Sequence, residues 1–492
     1  MAKWWMGLIV VFLFILGLRL FFAFQTPFYT TDNAYLEVRA VESLAKGDLL
    51  WQDSLGYGGR TLIRSPIFDS LLAFFSFFMP LPLAFKIIPN IFASLLVIPA
   101  YLISYLLTKH RLFSIFTALI TSLVPAFFAH TFNQVTSLTL AIPLFFFLTY
   151  AWLRAPQRKW TLVFLSVLLL FVFMHPLSVL FVLSLGVYII LLSLEKLNPK
   201  VAEYELGLFA IFFALWAQFL IYKKLILFHG PTVIWQNVPK ELLSSFFAEV
   251  TMLGALWQIG IFPLIGGTYA LYKASFKDPK RETVLLLAIT LVAKIMLWFK
   301  LIDVYTGLMI LGISLAFLFS TWVMFFINFL KETKIASKTW IFTVIAITLA
   351  LYTTAYPTYT EVQAQLDHTI TQEEVNALEM LSKTTPEDAS IIAPASYGNY
   401  ITAIAKRKNI IDEYFLLRPR INERYQDVMR LYKTTFDTEA VELFDKYEAD
   451  YILVPPGMKD IGYRDSPCFK NLQATNVKIY KKDPDCKLKV VS

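Results

Sequence analysis

Residues 30–65, TTDNAYLEVRAVESLAKGDLLWQDSLGYGGRTLIRS, decide how the rest of the chain is read. They gather Asp32, Glu37, Arg39, Glu42, Asp48, Asp53, Arg60 and Arg64 between an apolar run at Trp4–Phe24 and further apolar runs that continue to about Tyr356. Charge is scarce elsewhere in those first 356 residues, so an active site is expected in this polar island.

Composition excludes an ordinary soluble globule. Hydrophobic residues make up 57% of the chain and charged residues 16%, with a mean hydropathy of +0.59; soluble domains are about 45–50% apolar. A helix that crosses the roughly 30 Å hydrocarbon layer needs about 18 or more apolar residues, because its backbone amides must be satisfied internally. About eleven runs meet that criterion, near 4–24, 84–107, 112–132, 135–153, 160–174, 177–194, 206–228, 249–272, 283–299, 305–330 and 339–356. The first is longer than a signal-peptide core and no small-residue cleavage site follows it, so it is expected as a retained helix.

Cytoplasmic loops carry the excess of Lys and Arg. With the N-terminus inside, Lys109 and Arg111, Arg154 to Lys159, Lys196 and Lys200, Lys273 to Arg281, and Lys331 to Lys338 all fall on the cytoplasmic side. The opposite turns, His130 to Gln134 and His175 to Pro176, carry none, and Lys300 is the exception to the pattern. An odd number of crossings then places both the first loop, 25–83, and the tail after Pro357 outside. The net charge of +8 follows from this topology and from anionic headgroups, not from nucleic-acid binding.

Within the loop, Ala34–Lys46 reads as a short amphipathic helix, with Thr31 or Asp32 as its cap and Gly47 closing it. Trp51–Arg60 reads as a turn-rich link. Ser65–Met79 is apolar but short, expected to lie along the surface or to re-enter without spanning. His229–Ala248, with Trp235, Lys240 and Glu241, reads as a second external flap. Residues 357–492 read as a soluble α/β domain with a mainly parallel sheet. Its helices are expected over 372–383 behind a Thr371/Glu374 capping box, 399–407, 421–433 and 438–447. Strands are expected over 389–393, 409–412, 451–454 and 477–480. Cys468 and Cys486, both in this tail, are either a disulfide or two free thiols. The fold class is therefore a polytopic α-helical membrane domain, 1–356, followed by an external α/β domain, 357–492.

Transporters place ionisable residues mid-helix. Within the spans the candidates here are Lys294, Lys223 and Lys224, whereas the acidic groups collect at the outer face.

Several segments carry a resemblance. Thr31-Asp32-Asn33-Ala34-Tyr35, Arg39-Ala40-Val41-Glu42, Trp51-Gln52-Asp53, Gly56-Tyr57-Gly58-Gly59-Arg60 and Ser65-Pro66-Ile67-Phe68 resemble the first loop of the GT-C glycosyltransferases. That class includes the catalytic subunit of oligosaccharyltransferase and the dolichyl-phosphate-mannose-dependent enzymes. Lys446-Tyr447-Glu448-Ala449-Asp450-Tyr451-Ile452-Leu453-Val454, with Cys468-Phe469 and Lys478-Ile479-Tyr480, is similar to the archaeal oligosaccharyltransferase end.

The resemblance implies an inverting glycosyltransferase of hexosyltransferase type, using a sugar on a polyprenyl phosphate or pyrophosphate. Nucleotide sugars do not cross bilayers unaided, so an external site needs such a membrane-held donor. The resemblance makes Asp32 the general base or a ligand to a divalent cation, Mg or Mn. Arg60 and Arg64 become the guanidinium clamps on the donor phosphate, with Lys294 and Lys300 as weaker candidates. The blander alternatives are a helix cap for Asp32, pairing with Asp53 or headgroups for Arg60 and Arg64, and a solvated helix face for Glu37 and Glu42. His175-Pro176 reads as a helix terminator.

The sequence also departs from the family. Where oligosaccharyltransferases carry a second acidic motif, this chain reads His130-Thr131-Phe132-Asn133-Gln134, which leaves His130, Asn133 and Gln134 as possible second-site residues without a carboxylate. The acceptor motif Trp-Trp-Asp-Tyr-Gly aligns with Pro394-Ala395-Ser396-Tyr397-Gly398, so only Tyr397 and Gly398 remain of an acceptor region. The expected partners are a polyprenyl-linked sugar, membrane lipids and an unidentified acceptor. The rival readings are a non-catalytic glycan- or lipid-binding protein and a lipid-linked-sugar transporter on the same scaffold.

Overall fold

The computed structural model describes residues 2–197, 199–230, 239–243, 250–277, 279–414, 417–474 and 476–486. Two compact units are present: Met1–Pro27 with Ser65–Ile221 and Ser245–Asp367, and Phe28–Arg64 with Tyr222–Ser244 and His368–Ser492.

The first unit is helical, and helix occupies every apolar run the sequence marks out. Ala2–Ala23, Leu138–Arg154, Arg158–Met174, Leu177–Leu194, Val201–His229, Arg281–Trp298, Val304–Lys331 and Thr339–Asp367 are continuous. The 84–107 run divides into Leu81–Ser94 and Val97–Thr108. The 112–132 run divides into Arg111–Ser122 and Pro125–Ala129, since Pro125 disfavours helix at the residue before it. The 249–272 run breaks at Gly260, and its halves bend by 92°. Gly260 has φ +95°, and a Cβ there would stand 2.7 Å from Thr354 Cγ2, so only glycine fits the bend.

Among the described residues, six helices are long and apolar enough to cross a bilayer, or seven if the bent pair is one span. The expected count of eleven crossings is not confirmed: several of the apolar runs form helices shorter than a full span. Pro66–Phe75 has ten residues behind a Ser65 cap, the short non-spanning helix that the sequence leads one to expect. The interior of this unit is aromatic, with Trp152, Phe145, Phe146, Phe164 and Phe171 fully buried.

The second unit is built on a five-stranded sheet. β1 (Gln52–Asp53) and β2 (Arg60–Thr61) form a separate antiparallel ladder inside the stretch read as a turn-rich link. The main sheet has the order β4-β3-β5-β7-β6, from β3 (Ser390–Ile392), β4 (Lys408–Asn409), β5 (Tyr451–Val454), β6 (Phe469–Ala474) and β7 (Lys478–Lys482). β3 pairs in parallel with β4 and β5, whereas β5–β7 and β6–β7 are antiparallel. The sheet is mixed, a correction to the mainly parallel expectation. The physical reason is that β6 and β7 follow one another closely, and antiparallel neighbours need no crossover helix.

The Thr371/Glu374 capping box forms over Gln372–Thr384. Helices Ile421–Lys433 and Asp437–Lys446 cover a core of Ile392, Ile410, Ile452, Leu431 and Phe444. The expected helix 399–407 is a single turn, Gly398–Tyr400, followed by a π segment, Ile401–Ala405. Cys468 and Cys486 are bridged, with Cα atoms 5.5 Å apart. The first loop packs with this C-terminal region: the Tyr57 N–H donates to Asn409 O at 3.0 Å, and the Asn409 N–H to Leu55 O at 3.0 Å. Most of the expected 229–248 flap lies outside the described residues.

Candidate active site

Asp32 opens the helix Asp32–Ala45, and Thr31 stands at its N-cap without a side-chain capping bond. The Asp32 carboxylate, 7% exposed, does not cap its own helix. Its Oδ2 accepts from the Asn399 N–H at 3.3 Å and from Asn399 Nδ2 at 2.7 Å, and its Oδ1 from the Tyr400 N–H at 2.9 Å. These are free amides at the start of the Gly398–Tyr400 turn, where a carboxylate meets both unpaired donors and the positive end of the peptide dipoles. Gly398 makes the approach possible: a Cβ there would sit 2.3 Å from Ile411 O and 2.4 Å from Asp412 Cβ.

Burial pushes the Asp32 carboxyl well above its usual range; the Tyr400 N–H opposes this, and the charges of Glu413 and Asp412 add to it. Glu413 is itself raised by burial, and Asn33 Nδ2 donates to it at 2.9 Å. Tyr35 and Tyr400 pack edge to face at 4.8 Å, with Tyr29 and Tyr397 extending the aromatic wall.

A charge network stands next to this carboxylate. Arg60, 4% exposed, donates through Nε to Asp53 at 3.0 Å, and through Nη1 to Asp412 at 2.7 Å and the Tyr414 carbonyl at 3.0 Å. Arg39 joins Asp53 at 2.8 Å, and Arg418 joins Asp412 at 3.1 Å. Burial opposes ionisation of Asp53, but Arg39 and Arg60 outweigh it and hold the carboxyl at about 2. Asp412 is likewise lowered against burial by Arg418 and Arg60. Arg64 pairs with Glu37 in a half-exposed contact, and Glu42 is exposed. Arg60 and Arg64, expected at the donor phosphate, thus form carboxylate pairs in this structure.

Tyr397 donates its hydroxyl to Glu374. Asp32 therefore meets the residues immediately after the Tyr397-Gly398 remnant. In the first unit, His130 stacks on Tyr305 with ring centroids 3.7 Å apart, and its buried Nε2 has no hydrogen-bond partner among the described residues. Asn133 is buried at φ +46°, Gln134 is half-buried, and Lys294 is exposed on Arg281–Trp298. His175 Nδ1 accepts from the Leu177 N–H at 3.1 Å, so this residue closes the start of the next helix.

The sequence reading passed over Asn399, Tyr400, Asp412 and Glu413, whose link to residue 32 is not local. It also passed over Arg19. That guanidinium is fully buried in the first apolar helix, donates to Asn90 Oδ1 at 3.0 Å and Thr131 Oγ1 at 2.8 Å, and faces Phe128 at 4.8 Å. Lys86 donates to Ala23 O at 2.7 Å and satisfies a carbonyl at the end of the same helix. A charge inside an apolar run is the signal that would have found both.

The donor set does not fit a divalent cation. Both Asp32 oxygens are engaged by N–H donors, and among the described residues no three His, Cys, Asp or Glu side chains group where a metal ion could be held.

No family model and no curated protein matches this sequence. Solved structures do. Archaeal oligosaccharyltransferase AglB from Archaeoglobus fulgidus, in complex with an inhibitory peptide and a dolichol-phosphate, superposes with TM-score 0.66 at 14% identity, over 90% of this chain and 69% of that one. ArnT from Cupriavidus metallidurans bound to undecaprenyl phosphate gives 0.62 at 9% identity over 99% of both chains. Arabinofuranosyltransferase AftD from Mycobacteria gives 0.57 at 12% identity, over 98% of this chain and 42% of that one. At these identities the likeness is one of fold alone, and the long apolar helices are those of an integral membrane protein.

Proposed function

We propose that this chain transfers a sugar from a polyprenyl-phosphate or polyprenyl-pyrophosphate donor to an acceptor at the extracytoplasmic face, with inversion at the anomeric carbon. The observation that carries the reading is the buried Asp32 carboxylate, raised by its surroundings and oriented by three N–H donors at the head of the first polar loop. A raised carboxylate is a stronger base than a solvated one. In this mechanism the acceptor nucleophile attacks the anomeric carbon from the face opposite the phosphate. Its proton passes to Asp32, and the polyprenyl phosphate leaves with the bonding electron pair. Asn399 and Tyr400 hold Asp32 in place. The fold supports the donor class, since AglB and ArnT were solved with dolichol-phosphate and undecaprenyl phosphate. In this reading residues 1–356 form the membrane domain and 357–492 the external one. The bridged Cys468–Cys486 pair favours an oxidising exterior.

One observation favours a second reading. Both Asp32 oxygens are already engaged within the protein, which suits a scaffold that binds a lipid-linked glycan without transferring it. Incubating the purified full chain with radiolabelled polyprenyl-phosphate sugars and acceptor-containing membrane extract separates the two. Transfer is expected with the native chain and absent with Asp32→Asn. Binding without any new glycosidic bond would establish the second reading instead. An impermeant thiol reagent should leave Ser337→Cys unlabelled in intact cells; labelling there would reverse the orientation.

A further inference from the structure

A cavity of about 340 Å³ opens in the first unit beside Trp5, at the beginning of the helix Ala2–Ala23. It lies roughly 30 Å along that helix from the end that Lys86 closes, at 1.5 Å of rise per residue. Three cations line it: Lys109, which terminates Val97–Thr108 at φ +56°, Arg111, which begins the next helix, and Arg154, the last residue of Leu138–Arg154. Three phenols, Tyr101, Tyr105 and Tyr150, share the wall, and the first two stack in parallel one helical turn apart.

Among the described residues no carboxylate lines the cavity, neither Lys109 nor Arg154 forms an ion pair, and the Arg154 Nε is buried without a hydrogen-bond acceptor. A second cavity of about 200 Å³ shares Lys109 and adds Lys273 and Lys280, with Glu282 as its acid. Leucines 8, 102 and 106 complete the lining of the first. Cations, hydroxyl donors and an aliphatic wall within one concavity match a phosphodiester joined to acyl chains. They suit a sugar or a free nucleotide less well. Basic pockets between membrane helices bind lipid headgroups in this manner, and guanidinium offers paired donors to phosphate oxygens.

We propose that this cavity binds the phosphate headgroup of an anionic membrane phospholipid, in the leaflet at which the first helix begins. The site is independent of the Asp32 chemistry. Its occupant fixes the Lys109–Arg111 and Arg154–Arg158 connections against the bilayer surface.

The test titrates the purified full chain in detergent with dioleoylphosphatidylglycerol, dioleoylphosphatidylcholine or inorganic phosphate, reading bound lipid by native mass spectrometry. Phosphatidylglycerol should bind stoichiometrically and phosphatidylcholine should not. At the usual attraction of a basic residue for an anionic lipid, Arg154→Gln should weaken binding about fivefold. Lys109→Gln, Arg111→Gln and Arg154→Gln together should weaken it on the order of a hundredfold. Lys338→Gln removes an exposed cation outside the cavity and should leave affinity unchanged. If the triple variant does not elute as the native species, Arg154→Gln alone carries the decision. Equal binding of the two lipids, an unweakened Arg154→Gln, or a Lys338→Gln loss as large as that of Arg154→Gln overturns the proposal. So does inorganic phosphate displacing the lipid at equal concentration, which would mark a site for a free anion.

Discussion

Replacing Asp32 by alanine removes the acceptor for three N–H donors at once, at 2.7, 2.9 and 3.3 Å. Two belong to Asn399, which is fully buried, and one to Tyr400, which is 6% exposed, so water does not replace the carboxylate freely. Each orphaned buried donor costs about 1–3 kcal/mol. Removing a carboxylate whose ionisation is already disfavoured by burial returns part of that, leaving a net loss of about 3 kcal/mol. Asp32→Asn behaves differently. One amide oxygen can still accept, and the buried Asn399 Oδ1, which has no partner among the described residues, can turn to receive the new NH2 group. The expected loss is then about 1 kcal/mol. Hydrogen exchange of the full chain in detergent reads these numbers where they arise, at the amides of residues 399 and 400. Alanine should lower protection on the order of a hundredfold, and asparagine roughly fivefold. If both variants abolish sugar transfer while only alanine exposes these amides, the carboxylate does more than hold the turn. Native protection in Asp32→Ala would refute the hydrogen-bonding account, and with it the orientation on which the mechanism depends.

Acid should loosen the second unit through Asp53. Its carboxyl is lowered from 3.8 to about 2, so its contribution of about 2 kcal/mol is complete above pH 4 and lost as pH falls toward 2. Asp53→Asn should flatten the pH dependence of unfolding in that window, and an unchanged slope would contradict the pairing with Arg39 and Arg60. Asp32 has the opposite sign. A carboxyl raised by burial favours the folded state when protonated, and that contribution fades as pH rises through its elevated value. Reducing the Cys468–Cys486 bridge, which spans 18 residues, should cost about 3 kcal/mol by loop-closure entropy, measured by denaturant titration with and without reductant. Arg19→Met should change stability by no more than about 1 kcal/mol, because a desolvated buried charge exchanged for an apolar chain of similar volume is often neutral. A loss above about 3 kcal/mol in thermal unfolding would instead show the Asn90 and Thr131 bonds to be net stabilising.

The helices of the first unit were legible because burial of backbone polarity in lipid forces apolar runs into helix, whatever their neighbours. Where those helices break was less legible. The division between Ser94 and Val97 carries no proline or glycine at residues 95 and 96, whereas the Gly260 bend depends on its contact with Thr354. Sequence reasoning weighed Lys294, which is exposed, and overlooked Arg19, which is buried, because a mean over an apolar window conceals one charge. In the tail, the Thr371/Glu374 box marked its helix, since both partners lie within one turn. Ile410 and Ile411 suggested a strand reaching Asp412, but β4 stops at Asn409 and the chain turns so that Asp412 can meet Arg60 and Arg418. That network joins residues 352 positions apart, and the Asp32–Asn399 bond joins residues 367 apart. No local pattern encodes such a pairing. A first loop rich in charge could therefore announce that chemistry was near, but which of its charges are neutralised within the protein depends on strands that the sequence places at the far end of the chain. Arg60 illustrates the consequence: as a lone arginine after Gly58-Gly59 it reads as a phosphate clamp, and with Asp53 and Asp412 on either side its charge is already balanced.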